Sequence, residues 1–203
     1  MSENPLPHSQ FDAFARFYDH DYRDYDDDLS LILEVADECH GQAIELGCGT
    51  GRVLLPLADA GHSVTGVDIS LALLAVARRK VAASGLGERV RLAQDDLRNL
   101  NQEPNTFAFA VCTSNTLMHL SSPTEQLDCL RSAHRVLKPG GCLLVDLFNP
   151  DIPRLLEVNG QMELADRWQD DETGAEVLKW SVRRLDISEQ LQETLVIYEE
   201  ILP

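Results

Sequence analysis

The sequence is poor in positive charge. Its 17 Lys and Arg face 34 Asp and Glu, a formal net charge of −17 over 203 residues. A chain this acidic is a poor non-specific ligand for DNA, RNA or an anionic membrane, which disfavours nucleic-acid and membrane partners. Cysteine is scarce too. Cys39, Cys48, Cys112, Cys129 and Cys142 are odd in number and form no C-x-x-C pair. They suggest neither a metal site nor a disulfide framework, and they fit a reducing cytoplasm. No segment approaches the roughly 20 apolar residues of a membrane span. The N-terminal MSENPLPHSQ lacks the positive flank and apolar core of a secretory signal. Internal repeats and low-complexity stretches are absent. What remains is an ordinary globular composition, 44% hydrophobic and 25% charged, long enough for one domain with a substantial core or one domain plus a small appendage.

The stretch AIELGCGTGRVLL, residues 43–55, organises the rest. Apolar Ala43 and Ile44 lead to Glu45, then glycine recurs at 47, 49 and 51, and helical spacing begins with Val53, Leu54, Leu57 and Ala58. This reads as a buried strand, a tight turn and a helix N-terminus whose free N–H groups face the turn. Two familiar phosphate cradles are missing. The dinucleotide fingerprint G-x-G-x-x-G needs a two-residue second gap, and the P-loop needs Gly-Lys-Ser/Thr. A carboxylate at Glu45 would repel a pyrophosphate and welcome an ammonium or sulfonium.

The pattern E-x-G-x-G-x-G resembles motif I of the class I S-adenosylmethionine-dependent methyltransferases. The resemblance implies an α/β fold, a Rossmann-like doubly wound and mainly parallel sheet with helices on both faces. It also implies S-adenosylmethionine as cofactor, S-adenosylhomocysteine as product, and Glu45, Gly47, Cys48, Gly49 and Gly51 as cofactor-binding positions.

Later segments extend it. Residues 62–67 form a β-rich strand ending at Asp68, 17 positions past Gly51, near the distance at which a second Rossmann strand delivers an acid to a ribose. Ile69 follows at the same site. Ser70 is placed to cap a helix carrying Leu71, Leu74, Ala77 and Val81, which Gly85 and Gly87 close. Residues 89–94 form a third strand ending in Asp95-Asp96-Leu97-Arg98-Asn99-Leu100. In the family an acid here accepts from the adenine amino group and the next backbone N–H faces a ring nitrogen. The match favours Asp96 and Leu97, with Asp95 as the alternative.

Residues 106–113, TFAFAVCT, are a central strand ending at the cofactor position Thr113, although Ala108 stands where family members usually carry Asp. Asn115-Thr116-Leu117-Met118-His119-Leu120 resembles the N-x-L-x-H-L phrase of small-molecule N- and O-methyltransferases and lacks the [DNS]-P-P-[YFW] of nucleic-acid amine methylases. That makes His119 the candidate catalytic base and a small molecule the methyl acceptor. Ser122-Pro123-Thr124-Glu125 is a capping box with proline at the first helical position. The phrase RVLKPGG then turns into a fifth strand over Cys142–Leu147, again as in the family.

Three regions follow. Residues 1–40 form an N-terminal helical cap, whose acidic tract Asp19–Asp28 is either a solvated face or, by resemblance, a lid whose Tyr18 closes over the methionyl end of the cofactor. Residues 41–150 form the cofactor-binding core. Residues 151–203 alternate as antiparallel strands (162–168, 176–185, 191–201), with turns at 170–174 and 186–189. The family core usually adds two more strands and a helix. Either the core is truncated or this tail replaces them, covering the substrate pocket or pairing two copies as a homodimer. Two other functions stay open: a non-catalytic cofactor-binding or regulatory module, and an aminopropyltransferase-like enzyme, against which N-x-L-x-H-L argues.

Overall fold

Five apolar runs become the strands of one parallel sheet in the computed structural model, which describes residues 10–202. The expectation about MSENPLPHSQ rests chiefly on residues 1–9, which lie outside that range. The chain divides into two units between Phe148 and Asn149.

The first unit opens with a 3-10 turn at Gln10–Phe14, a single-turn helix α1 (Tyr18–Asp21) and helix α2 (Leu29–Cys39). Then β1 (Ala43–Leu46), α3 (Leu54–Asp59), β2 (Val64–Asp68), α4 (Leu71–Ser84) and β3 (Val90–Gln94) alternate. After a 3-10 turn at Leu97–Asn99 come β4 (Phe107–Cys112), α5 (Pro123–Val136) and β5 (Leu137–Val145). The strand order is β3-β2-β1-β4-β5, all pairs parallel. Every residue of β1 and β4 is buried; β4 is accordingly a continuous apolar run, and β1 is apolar except for Glu45.

Alternation along these strands feeds two cores. Ala43, Val64, Phe109 and Val111 pack with Ile32 and Ala36 of α2, Leu54 and Leu57 of α3, and Val81 of α4. Ile44, Leu46, Val67, Ala110 and Cys112 face the opposite way onto Cys129, Ala133 and Val136 of α5. Each fully buried Leu or Ile contributes roughly 1.5–3 kcal/mol. The order reverses between β1 and β4, and ligands bind doubly wound sheets at the carboxyl-terminal edge beside such a reversal.

Helix ends follow the expected chemistry. Ser70 Oγ accepts from Leu73 N at 3.1 Å, Ser122 Oγ accepts from Glu125 N at 3.2 Å, and Gly85 closes α4 at φ 71°. The fifth strand differs from expectation. Leu137 pairs with Phe107 and Cys142 with Phe109, so Lys138–Gly141 bulge out within the strand, with Gly140 at φ 82°. The strand therefore begins at Leu137 and ends at Val145.

The second unit begins with a short helix, α6 (Ile152–Glu157), that periodicity did not mark; Asp151 caps it by accepting from Arg154 N at 3.1 Å. Strands β6 (Met162–Gln169), β7 (Glu176–Asp186) and β8 (Leu191–Ile201) form an antiparallel meander. Its turns are built as read. Asp170 Oδ1 accepts from Glu172 N and Thr173 N, and Asp186 Oδ1 accepts from Ser188 N and Glu189 N. No helix among the described residues is long and apolar enough to cross a membrane.

Candidate functional site

Where β1 runs out, the backbone folds back on β2. Gly47 N and Cys48 N both donate to Val67 O, at 2.8 and 3.0 Å, and this requires positive φ at Gly47 (77°). A Cβ on Gly47 would sit 2.4 Å from Thr116 Cγ2, and one on Gly49 would sit 3.3 Å from the Tyr18 ring. Gly51 closes the turn at φ 93°, its N–H bonded to Cys48 O at 2.8 Å.

Asp68, at the end of β2, holds this turn from the side. Its Oδ2 accepts from Gly49 N and its Oδ1 from Ser70 N, each at 2.8 Å. Burial raises its pKa against the pull of those amides. Glu45 is more deeply enclosed, at 3% exposure, and its Oε2 has no hydrogen-bond partner. Burial pushes this carboxyl well above the usual carboxylate range, although Arg52 and the Leu54 amide work in the other direction. An unsatisfied buried oxygen is uncommon and has to be met by a water, an ion or a ligand.

The N-terminal segment is tied to this edge by its acids. Asp12 Oδ1 accepts from Ser70 Oγ at 2.5 Å, and Asp19 Oδ1 from Thr50 Oγ1 and Lys80 Nζ at 2.6 Å each. Asp28 takes a two-point pair from Arg52 at 2.6 and 2.7 Å, while Arg52 also reaches Ser114 Oγ at 3.0 Å. These three acids are anchors, and since Asp19 and Asp28 belong to the tract, it is not uniformly a solvated face. Tyr18 lies over Gly49 with its ring centroid 4.9 Å from that of Tyr22, and its phenol is pushed far up by burial.

A cavity of about 290 Å³ opens over the strand ends. Among the expected residues it gathers Tyr18, Gly47, Asp68, Ile69, Asp96, Leu97 and His119. A second void of about 10 Å³, room for about one water, lies behind the turn against Glu45, Cys48 and Thr113. Gly49 and Gly51 line neither. Cys48 turns its thiol under β2, where burial raises its pKa well above the ordinary value, leaving its backbone as the part that faces the turn.

The adjacent acids separate clearly. Asp95 points into the fold, its oxygens accepting from Asp96 N at 3.0 Å and Asn101 N at 2.8 Å. Asp96 lines the cavity, and its hydrogen bonds from Arg98 hold its carboxyl below the usual range. His119 meets Phe11 edge-on at 4.9 Å, and desolvation lowers the pKa of its imidazole although the residue keeps solvent contact. Sequence reasoning missed Arg52, Arg98 and Phe11. Arg98 lies inside the acidic motif that follows β3, but nothing in its spacing shows where the side chain turns.

The chain is similar to known proteins along most of its length. A model of the methyltransferase domain matches residues 43–141. YqeM of Bacillus subtilis is 30% identical over 162 residues, covering 79% of this chain and 63% of that one. The ubiquinone biosynthesis O-methyltransferase of Pseudomonas aeruginosa is 32% identical over 149 residues, covering 70% and 62%. This chain thus spans somewhat under two thirds of either relative. The CcbJ methyltransferase of Streptomyces caelestis superposes with a TM-score of 0.69 at 30% identity, covering 85% of this chain and 71% of CcbJ. Sheet order, glycine turn and this likeness agree, and the chain belongs to the class I S-adenosylmethionine-dependent methyltransferases.

Proposed function

We propose that the chain binds S-adenosylmethionine across the carboxyl ends of β1, β2 and β3 and transfers its methyl group to a nitrogen or oxygen of a small molecule. The observation that carries this is Glu45, a buried carboxyl with an unpartnered oxygen beside a glycine turn in which Gly47 leaves no room for a side chain. These residues fit the cofactor. Glu45 suits an ammonium, Asp68 keeps acceptor capacity for ribose hydroxyls beyond its two backbone bonds, and Asp96 and Leu97 face the cavity where a nucleobase would lie. Gly47, Gly49 and Gly51 shape the turn beneath it, Ile69 lines the cavity, Cys48 and Thr113 back the turn at the smaller void, and Tyr18 covers the methionyl end.

When bound, the cofactor supplies a methyl group on a sulfonium sulfur, open to in-line attack. The protein's part is alignment, worth roughly 7–11 kcal/mol in well-oriented reactions. His119 takes the acceptor's proton, and its lowered pKa keeps the imidazole neutral and basic near pH 7. The acidic chain argues against nucleic-acid acceptors. Residues 1–40 serve as the cap, 41–150 as the cofactor core and 151–203 as a substrate or pairing element. The edge of β8, with Leu195 and Ile197 exposed, is where two copies would pair; sedimentation over a range of concentrations tests this. The unpaired cysteines fit the cytoplasm.

Calorimetric titration with S-adenosylhomocysteine, followed by turnover on a panel of amines, phenols and carboxylates, tests the reading. Binding with turnover supports it, and binding without turnover on any acceptor supports a regulatory module. Uptake of a nicotinamide or flavin dinucleotide in place of the nucleoside refutes it.

A further inference from the structure

We propose that Arg98 is a positioning residue for nucleobase recognition: it fixes the Asp96 carboxylate so that one acceptor direction remains, aimed into the cavity. This rests on the reading of Asp96 as the nucleobase acceptor.

A carboxylate offers about four acceptor directions. Arg98 fills both on Oδ1, with its backbone N at 3.0 Å and its Nε at 3.0 Å. It fills one on Oδ2, with Nη2 at 2.7 Å, while the Nε contact to Oδ2 at 3.1 Å is the weaker arm of a shared bond. One direction on Oδ2 is left, which suits a donor presenting a single N–H. The guanidinium is itself tethered, because Nη1 donates to Glu125 Oε1 at 2.6 Å. Glu125 is fixed in turn at the start of α5, where its backbone N donates to Ser122 Oγ. Arg98, Asp96 and Glu125 all line the cavity.

A surface ion pair alone would not carry this inference, since exposed pairs stabilise little. Here the side chains keep 39% (Arg98), 22% (Asp96) and 29% (Glu125) exposure, so the cluster adds little to folding. The same exposure means that its removal leaves a folded protein. What the cluster fixes is direction: a carboxylate free to rotate would present any of its lone pairs, whereas this one presents a single acceptor to a single donor.

The test compares S-adenosylhomocysteine with S-inosylhomocysteine, in which an oxo group replaces the N6 amino group, on wild-type protein, Arg98→Ala, Asp96→Asn and the double variant. Thermal melts confirm that each is folded. The wild type should prefer the adenine ligand. Arg98→Ala should weaken it about tenfold and erode the preference, the scale of one misplaced charge-assisted hydrogen bond. The double variant should bind no worse than Asp96→Asn, because Arg98 acts through Asp96. Equal weakening of both ligands by Arg98→Ala, or additive losses in the double variant, would overturn the inference and leave the cofactor reading standing. A wild type that bound neither nucleoside would remove both.

Discussion

Replacing Arg52 by alanine should loosen the N-terminal segment from the glycine turn, and the structure sets the scale. The guanidinium makes two short bonds to Asp28, one to Ser114 Oγ and one to Tyr25 O at 3.2 Å, and lies 4.7 Å from the Tyr25 ring centroid. Hydrogen bonds to charged groups contribute about 1.5–3 kcal/mol each, and a partly exposed cation–π contact adds about 0.5–1. These do not add, because one side chain makes them all. The Arg52 and Asp28 side chains are 16% and 14% exposed, so water screens part of the charge and can solvate the orphaned carboxylate. The outright break of a buried pair, about 3–5 kcal/mol, is therefore an upper bound, and about 2–4 kcal/mol is expected.

Urea unfolding of the wild type, Arg52→Ala, Asp28→Asn and the double variant measures this directly. The coupling between the two positions should be about 2 kcal/mol. Limited proteolysis should show cuts rising in residues 10–28 before they rise in the sheet, since this segment contributes little to the two cores. The reasoning fails if the two substitutions are additive to within about 0.5 kcal/mol. Unchanged cleavage of the segment in a variant that unfolds more easily would refute it equally, because the loss would then lie in the core.

Three further outcomes follow from the site. Glu45 has a folded pKa above its unfolded value, so its contribution to the ligand-free fold is present at low pH and is lost as pH rises through the raised value. A bound cation favours the ionised form, so S-adenosylmethionine affinity by calorimetry should climb as pH rises above the ordinary carboxylate range in the wild type and stay flat in Glu45→Gln; a climb that survives the substitution clears Glu45. For His119, kcat/KM should fall on the acid side below about pH 6.5, and His119→Gln should lose that limb with about a hundredfold or more of kcat. A limb retained in the variant assigns it to another group. Gly47→Ala sets a methyl against Thr116 at an unfavourable φ, costing about 1–3 kcal/mol, and should lower both melting temperature and S-adenosylhomocysteine affinity; unchanged melting would refute the packing argument.

Much of the fold was legible because local signals agree with it. The buried strand β4 is an unbroken apolar run and β1 is apolar but for Glu45, Ser70 and Ser122 are caps, and the turns after β6 and β7 each begin with an Asp that binds the amides ahead of it. The glycine turn with Asp68 and Asp96 was legible for a similar reason, since each acid ends a strand at a spacing set by one crossover. Less visible were features that depend on distant partners. The bulge at Lys138–Gly141 arises from pairing with β4, and glycine and proline there read equally well as a turn. Asp68 shows the same limit. Its spacing suggests a ribose contact, but nothing in that spacing shows that the same carboxylate also accepts from Gly49 N and Ser70 N and so braces the turn.

Negative charge in this chain does three kinds of work, and composition cannot separate them. Asp12, Asp19 and Asp28 accept hydrogen bonds from donors on the core and so hold the N-terminal segment down. Asp170 and Asp186 satisfy backbone amides in turns, as a neutral Asn could do in part. Glu45, Asp68 and Asp96 stand at or near the ends of three neighbouring strands, and their environments differ. Burial raises the first two, while Arg98 lowers the third. A carboxyl with a raised pKa gains most from an arriving cation, because the ligand supplies the charge that the fold withholds. Asp96 already has its cation and remains an acceptor of fixed direction. On the proposed reading, the site would divide the cofactor by chemistry, with a cation-seeking end at β1 and a hydrogen-bond-reading end at β3.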